Sequence, residues 1–237
     1  LGRGDWRGGA HLAESFDTMG WLFRDLEDAP LLAGFFANSE ARSKREFKRF
    51  AVIGDSFLDD CEPEIAAAMH ATVRELEALG LSASTVDVAW WADAFEIYAP
   101  IQAFEAARIH AGRFNNFAPG IRERLEWGAR FTNAEIEALR GRHADFRERI
   151  DDLLATHGLL LMPATPVARL AAGADHTLTR RHILRYTTPF SLAGVPVITV
   201  PTKPGGMQLA AARGDDEALA ELAARFGAQR KEAGPQS

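Results

Sequence analysis

Residues 51–88, AVIGDSFLDDCEPEIAAAMHATVRELEALGLSASTVDV, decide the fold class of this chain. Their apolar beginning is short enough for a buried strand and breaks at Gly54. Pro63 then stands at a typical helix start, apolar residues recur every three or four positions, and Gly80 suits the helix end. The β-branched residues of 84–88 favour a second strand. A strand, a helix and a strand in this order indicate an α/β unit.

Helices and strands continue to alternate on both sides of this unit. A buried helix is expected within 17–38, where Pro30 interrupts or starts it, and two more are expected at 90–111 and 119–128. Further strand candidates lie at 159–166, in 187–201, and at the start of 205–227, whose remainder forms an amphipathic helix. Five strand candidates interleaved with helices predict an α/β fold with a mixed or mainly parallel central β-sheet covered by helices.

The longest predicted helix has the strongest local signals. Thr132 and Glu135 stand in capping-box spacing at its start, and Gly158 ends it. Its apolar stripe includes His143 and His157. A histidine on such a stripe is more often a hydrogen-bonded core residue than a ligand, so no metal site is predicted there.

The composition excludes several classes of protein. The chain has 237 residues, of which 47% are hydrophobic, and this is ample for a packed core. Its 27 basic and 33 acidic residues are scattered, which argues against a nucleic-acid partner and favours a small molecule. Cys61 is the only cysteine, no apolar run reaches the roughly 18 residues of a membrane span, and no signal-peptide pattern is present. These features favour the cytoplasm.

Ser56 is the first candidate nucleophile, because GDSF after a strand resembles the block of GDSL-type esterases. Such a serine needs a histidine from an Asp-x-x-His motif, and none of the seven histidines has an aspartate three residues before it. Leu58 also occupies the position that must be glycine in a Gly-x-Ser-x-Gly elbow. Ser56 is therefore predicted to cap the turn after the strand, and a serine esterase is the weaker alternative.

Other motifs of catalysis are absent as well. The sequence contains no His-Glu-x-x-His or Cys-x-x-Cys spacing for a metal, and GRGDWR lacks the third glycine of a dinucleotide fingerprint. Neither a metal nor an organic cofactor is expected.

A series of blocks over residues 10–227 resembles the amidase signature family. The block ESFDTMGWLFRDLEDAPLL is similar to the family's Ser-Leu/Phe-Asp-x-x-Gly segment, and TTPFSLAGVPVITVP to its Thr-x-Pro-x-Asn-Leu-Ala-Gly-x-Pro signature. The other blocks are AVIGDSF, PEIAAAMHATVRELEALG, STVDV, the long helix with its strand at 128–168, and the closing strand and helix at 205–226. The resemblance implies the amidase signature fold, incomplete at its N-terminus. Residues 1–227 would be the C-terminal part of one domain, and 228–237 a disordered tail.

The resemblance also implies a Ser-Ser-Lys amidase, in which one serine attacks the amide and the second relays a proton to the lysine. In the family those residues precede the matching region. This chain has eight serines, none adjacent to another, so the triad is expected to be missing and the chain to be inactive alone. Its beginning at Leu1 favours the C-terminal part of a longer amidase, with the N-terminal part as its partner. A pseudoenzyme that completes another chain is the alternative.

Three residues are candidates for substrate binding. Arg124 matches the position at which glutamine-specific amidotransferases of the family direct an arginine toward the substrate carboxylate, a task that suits a guanidinium. Pairing with Glu123 or Glu126 on a surface helix is the alternative. Thr188 and Ser191 fall in the loop-to-helix signature near the pocket, although Ser191 replaces the usual asparagine and a capping role is equally open.

Two departures from the family pattern indicate another specificity than that of a tRNA-linked glutaminase. No acidic residue directly precedes Thr187, where the glutamine-specific branch has an aspartate, and the loop 201–206 is short. Trp90, Trp91 and Trp127 either edge a pocket or pack in the core. Unpaired strand edges should make the isolated chain self-associate, so an oligomer of identical chains is a further candidate partner.

Overall fold

A computed structural model of the chain describes residues 8–36 and 45–233. Within them, five strands form one sheet in the order β2-β1-β3-β5-β4. The strands are β1 (Arg49–Ile53), β2 (Ser82–Val86), β3 (Leu159–Pro163), β4 (Val197–Pro201) and β5 (Gly206–Ala211). All five of the expected strand segments contribute a strand, so the predicted α/β fold with a mixed sheet is confirmed.

The direction of the strands changes in the middle of the sheet. β1 runs parallel to both β2 and β3, whereas β5 runs antiparallel to both β3 and β4. Every residue of β3 is buried, as expected for a central strand covered on both faces. The outer strands are much less covered, because the first four residues of β2 are exposed and Val200 is the only buried residue of β4.

Seven α-helices accompany the sheet in the described ranges. They are α1 (Ala29–Phe36), α2 (Pro63–Ala78), α3 (Ala94–Ile109), α4 (Pro119–Gly128), α5 (Asn133–His157), α6 (Thr177–Ala193) and α7 (Asp216–Glu232). None of the helices in the described part of the chain is long and apolar enough to cross a membrane.

Local signals in the sequence define the helix ends well. The capping box of Thr132 and Glu135 is present at the start of α5, and Gly158 adopts φ 81° directly after its end. Pro63 begins α2, and Pro30 lies in the first turn of α1. Between β4 and β5, a tight hairpin closes with a hydrogen bond from the N–H of Thr202 to the carbonyl of Gly205.

Two boundaries differ from the prediction. Helix α6 was not expected. Of the segment 187–201, which was predicted to contain a strand, the first part (TTPFSLA) forms the last two turns of α6, and only Val197–Pro201 is a strand. Tyr186 and Phe190 are buried one turn apart, so packing against the core overrides the local effect of a proline within the helix. Helix α7 continues to Glu232, so residues 228–232 are helical rather than part of the expected tail.

The segment before α1 is fastened to α3 through Glu105. Its carboxylate accepts hydrogen bonds from the backbone N–H and the hydroxyl of Ser15, at 2.9 and 2.5 Å, and Arg140 of α5 donates to it at 3.2 Å. Glu105 and Arg140 line a cavity of about 350 Å³, together with Glu14 of the N-terminal segment and other residues of α3.

Candidate substrate-binding site

Helix α6 lies across the carboxyl ends of β1 and β3. The Tyr186 hydroxyl of α6 donates to Asp60 at 2.5 Å and lies 3.3 Å from the Phe57 carbonyl, just beyond β1. Gln208 of β5 donates to the carbonyls of both Pro163 and Tyr186, at 3.0 and 3.1 Å. Ligands of α/β sheets bind outside the carboxyl ends of strands, so α6 lies where a substrate-binding wall is expected.

Thr188 is 2% exposed, and its hydroxyl has no hydrogen-bond partner among the described residues. The same holds for the indole N–H of Trp91, whose ring packs edge-on against Phe190 at 5.6 Å between centroids. Buried polar groups are nearly always satisfied, so an unpartnered hydroxyl and an unpartnered N–H in neighbouring elements need an explanation.

Ser191 is exposed and lies in the last turn of α6, before the left-handed Gly194. The expectation of a loop-to-helix position for Thr188 and Ser191 was wrong, because both lie inside the helix. A helix-start cap is therefore not the role of either residue.

Arg124 lies on α4 and is half-buried. Its Nη2 donates to the Oε1 of Gln102 on α3 at 2.7 Å, and Gln102 in turn donates to the Tyr98 hydroxyl. Burial lowers the pKa of Arg124 from its ordinary value, the neighbouring Tyr98 acts to raise it, and the nearby charge of Arg180 also lowers it. Burial likewise raises the pKa of Tyr98.

The alternative interpretation of Arg124, as part of a surface ion pair, does not match the contacts. Glu126 pairs with Arg122 instead, at 3.9 Å, and no described carboxylate pairs with Arg124. The Trp127 ring lies beside the guanidinium, with its centroid 5.9 Å from Cζ. The hydrogen bond to Gln102 therefore fixes the position of Arg124, but no carboxylate among the described residues neutralises its positive charge.

The three tryptophans do not form one pocket edge. Trp90 and Trp91 pack against each other edge-on at 5.9 Å, and Trp91 is in the core. Trp127 packs against Phe131 at 5.0 Å and is 36% exposed. Trp91 and Trp127 therefore border different parts of the molecule.

Ser56 lies in a short 3-10 turn, residues 55–57, and is exposed. No described histidine forms a hydrogen bond to it; His182, the histidine of the neighbouring α6, pairs with Asp60 at 3.9 Å. The described residues therefore give Ser56 no histidine as a catalytic base, as the serine esterase alternative would need.

The two histidines of α5 differ. The ring Nε2 of His143 lies 2.6 Å from the Leu192 carbonyl, and burial lowers the pKa of this side chain, so it is a hydrogen-bonded histidine at the core as predicted. His157 instead lies 2.9 Å from the Ser84 hydroxyl on the outer strand β2. No group of three or more His, Cys, Asp or Glu side chains in the described residues is arranged to hold a metal.

Sequence reasoning missed Tyr98, Gln102 and Arg180. The first two are one turn apart on α3, which is a readable spacing, but nothing in the sequence links them to Arg124. Packing of α3 against α4 brings Gln102, and through it Tyr98, to Arg124. Arg180 lies in a helix that the sequence did not predict.

With the fold and this constellation in view, comparison with known proteins identifies the family. The family model described as Amidase matches residues 8–220, and the chain belongs to this family. It is 31% identical over 193 residues to "1-carboxybiuret hydrolase subunit AtzE" of Pseudomonas sp. (strain ADP), covering 69% of this chain and 39% of that protein. It is 28% identical over 239 aligned positions to "2-amino-5-chloromuconic acid deaminase" of Comamonas testosteroni, covering 88% of this chain and 50% of that protein.

A crystal structure of an amidase superposes with a TM-score of 0.84 at 25% identity, covering 96% of this chain and 56% of that one. The chain thus spans about half the length of the relatives it matches.

Proposed function

We propose that this chain is the C-terminal part of an amidase that hydrolyses small carboxylic amides bearing an acidic group. A Ser-Ser-Lys triad in the N-terminal part of the same cytoplasmic enzyme would perform the chemistry, with no metal or cofactor. The observation that carries the proposal is Arg124, a half-buried cation held by Gln102 without a carboxylate partner among the described residues. The printed names of two relatives support an acidic substrate, since both refer to a carboxylated or acidic compound.

Each predicted site residue has a role in this proposal. Arg124 would bind the substrate carboxylate through its planar guanidinium, since the hydrogen bond to Gln102 already fixes the orientation. Thr188 would give its unpartnered hydroxyl to the substrate or to the missing part of the enzyme. Ser191, exposed at the end of the same helix, would contact the leaving side of the substrate.

The test uses the complete enzyme that contains this chain. We expect it to release ammonia from succinamate, an acidic monoamide, and much more slowly from uncharged butyramide. Arg124→Gln should raise KM for succinamate by about 10- to 100-fold, as for loss of a charge-assisted hydrogen bond. Arg122→Gln, on the same helix, is the matched control because Arg122 pairs with Glu126.

Three outcomes would contradict the proposal. Equal turnover of both amides would exclude recognition of an acidic group. Turnover by the 237-residue chain alone, abolished by Ser56→Ala, would establish the serine esterase instead. A complete enzyme without any amide turnover would favour the pseudoenzyme, whose support is the absence of adjacent serines in this chain.

A further inference from the structure

The carboxylate of Asp60 contacts three side chains of one helix. It accepts the hydroxyl hydrogen of Tyr186 at 2.5 Å, pairs with Nη1 of Arg185 at 3.3 Å, and lies 3.9 Å from Nδ1 of His182. These three residues belong to α6, at the spacing of three and four positions that places side chains on one side of a helix. Because Asp60 lies between β1 and α2, this Asp60 junction joins α6 to the carboxyl end of β1.

Neighbouring contacts strengthen the Asp60 junction. The Arg185 guanidinium also binds Asp59 at 3.2 Å and lies over the Phe57 ring, with 4.4 Å between Cζ and the centroid. The Tyr186 phenol has a single hydrogen, which it donates to the carboxylate, so its oxygen accepts the S–H of Cys61 across 3.2 Å. The junction therefore combines ion pairs, hydrogen bonds of a fully buried tyrosine and a cation–π contact.

Pro189 weakens α6 from within. A proline has no N–H to donate to the carbonyl four residues earlier, here that of Arg185, and prolines are a common cause of helix kinks. Beyond the proline, the ring of His143 holds the Leu192 carbonyl at 2.6 Å. The Asp60 junction holds α6 on the other side of the proline.

The candidate residues Thr188 and Ser191 lie on either side of Pro189. Their positions relative to the sheet therefore depend on how both parts of α6 are held. Before the proline, Gln208 adds one hydrogen bond, from its side-chain amide to the Tyr186 carbonyl at 3.1 Å. The charged contacts of this part of the helix are those of the Asp60 junction.

We propose that Asp60 is a positioning residue of the substrate-binding wall: it fixes the first part of α6 against the sheet, so that Thr188 and Ser191 meet the substrate in one arrangement. The inference rests on the proposed function and adds a residue that does not touch the substrate. Asp60 acts through Tyr186, and its loss allows α6 to bend at Pro189. Substrate binding should then weaken, whereas the chemistry, which belongs to the N-terminal part in the proposed function, should keep its rate once the substrate is bound.

Kinetics of the complete enzyme test this role through separate changes of KM and kcat. Asp60→Asn keeps the shape of the side chain and removes its charge. It should raise KM for succinamate by about fivefold or more and leave kcat nearly unchanged, as for a coupling between two sites that affects binding alone. Tyr186→Phe removes only the hydroxyl and should act in the same direction, so it carries the test even where Asp60→Asn does not fold. The double variant should add little, because both changes break one contact.

Glu75→Gln is the matched control for a structural carboxylate. The Glu75 side chain is 16% exposed, against 21% for Asp60, and it binds Arg230 at 2.7 Å, whose guanidinium lies over the Phe226 ring. It joins α2 to α7 rather than to α6. Loss of a contact that only stabilises the fold lowers Tm and the amount of active enzyme, and hence the apparent kcat, but it leaves KM unchanged. Glu75→Gln should show that pattern.

The thiol of Cys61 reports on the same contact without turnover. Cys61 is the only cysteine of the chain, and burial raises the pKa of its thiol, so iodoacetamide should alkylate the native 237-residue chain slowly. At a temperature well below Tm, Asp60→Asn should be alkylated several-fold faster, because Tyr186 no longer covers the thiol in one position. Glu75→Gln should react like the wild type.

Three results would overturn the inference: an unchanged KM in both Asp60→Asn and Tyr186→Phe, equal KM values in Asp60→Asn and Glu75→Gln, or equal alkylation rates in these last two variants. When the wild type still prefers succinamate to butyramide, each of them rejects the role of Asp60 alone. A complete enzyme without amide turnover, together with faster alkylation of Asp60→Asn, rejects the amidase and keeps the hold of Asp60 on α6.

Discussion

The Thr188 hydroxyl is buried in the folded protein and forms no hydrogen bond with the described residues. A hydrogen bond that is absent cannot stabilise the fold, and burial of a lone hydroxyl is unfavourable. This residue therefore makes no polar contribution to folding, and its hydroxyl remains available for a ligand or for another part of the enzyme.

Replacement of Thr188 by valine, its apolar isostere, tests whether the hydroxyl contributes to the stability of the fold. Thr188→Val is expected to leave the free energy of unfolding unchanged or to raise it. Thr72→Val is the matched control, because Thr72 is equally buried in a helix but donates to the Ala68 carbonyl at 2.9 Å. That variant should lose about 1 kcal/mol. Urea denaturation measures both, and a clear loss of stability in Thr188→Val would show that the hydroxyl has a structural partner.

His143 should couple stability to pH. Burial lowers its pKa in the folded chain, opposed by the Leu192 carbonyl and Glu105 and assisted by Arg147 and Arg140. The unfolded chain therefore binds a proton more readily than the folded chain. The stability that neutral His143 provides is complete above the unfolded pKa of about 6.5 and is lost as pH falls through the folded pKa.

Urea denaturation at several values between pH 8 and pH 5 measures this loss. The free energy of unfolding should fall less steeply toward low pH in His143→Gln than in the wild type. His70→Gln, at an exposed position of α2, serves as the control. Parallel curves for His143→Gln and the wild type would reject the assignment.

Helices α3 and α4 are in contact at Gly128. A Cβ at this position would overlap the carbonyl group of Ala103 and lie 3.0 Å from the Phe104 nitrogen, both of them backbone atoms. The close approach fixes α4, and with it Arg124, against the helix that carries Gln102. Glycine is thus required by packing rather than by backbone conformation.

Gly128→Ala should lower the free energy of unfolding by about 1–3 kcal/mol, because the helices must separate. Gly141→Ala is the control: it lies within α5, with open space around the added methyl group, and should gain about 0.5–1 kcal/mol from better helix propensity. Thermal unfolding measures both variants. Equal Tm shifts would show that the contact between α3 and α4 is not fixed by Gly128.

An element could be predicted from the sequence when the interactions that define it are local in the chain, and not when they join distant segments. The ends of α5 were predicted because Thr132, Glu135 and Gly158 act within one turn of the backbone. Helix α6 was missed because its proline and threonines disfavour a helix locally, whereas contacts with distant segments, among them those of Tyr186 and Phe190, stabilise it.

The candidate site shows the same limit. Arg124 came from a family resemblance, whereas its hydrogen-bond partner Gln102, and Tyr98 behind it, reach it only through the packing of α3 against α4. The spacing of residues in the sequence does not predict contacts between side chains of different helices.

The sheet as a whole has two outer strands with free edges in the described chain, because β2 pairs only with β1 and β4 only with β5. The sequence of β4, VITVP, is apolar, and Val197 is 37% exposed. An apolar strand with an unpaired edge tends to pair with another chain.

We therefore expect the 237-residue chain to self-associate at micromolar concentration. Val197→Lys should reduce the association by placing a charge at the edge of β4. Leu31→Lys introduces the same charge on α1, away from the sheet, and should have a smaller effect. Gel filtration with light scattering measures the mass, and a monodisperse wild-type monomer would count strongly against a missing sheet partner.

The pairing of β1 with β3 has a consequence for the order of folding. Ala51 lies opposite Leu160, with α2, β2, α3, α4 and α5 between them in the chain. Closing so long a loop is entropically unfavourable, whereas α5 needs only neighbouring residues. In pulsed hydrogen exchange during refolding, amides of α5 should be protected before those of β1. The centre of the sheet, on which α6 and the candidate site rest, should thus be completed late.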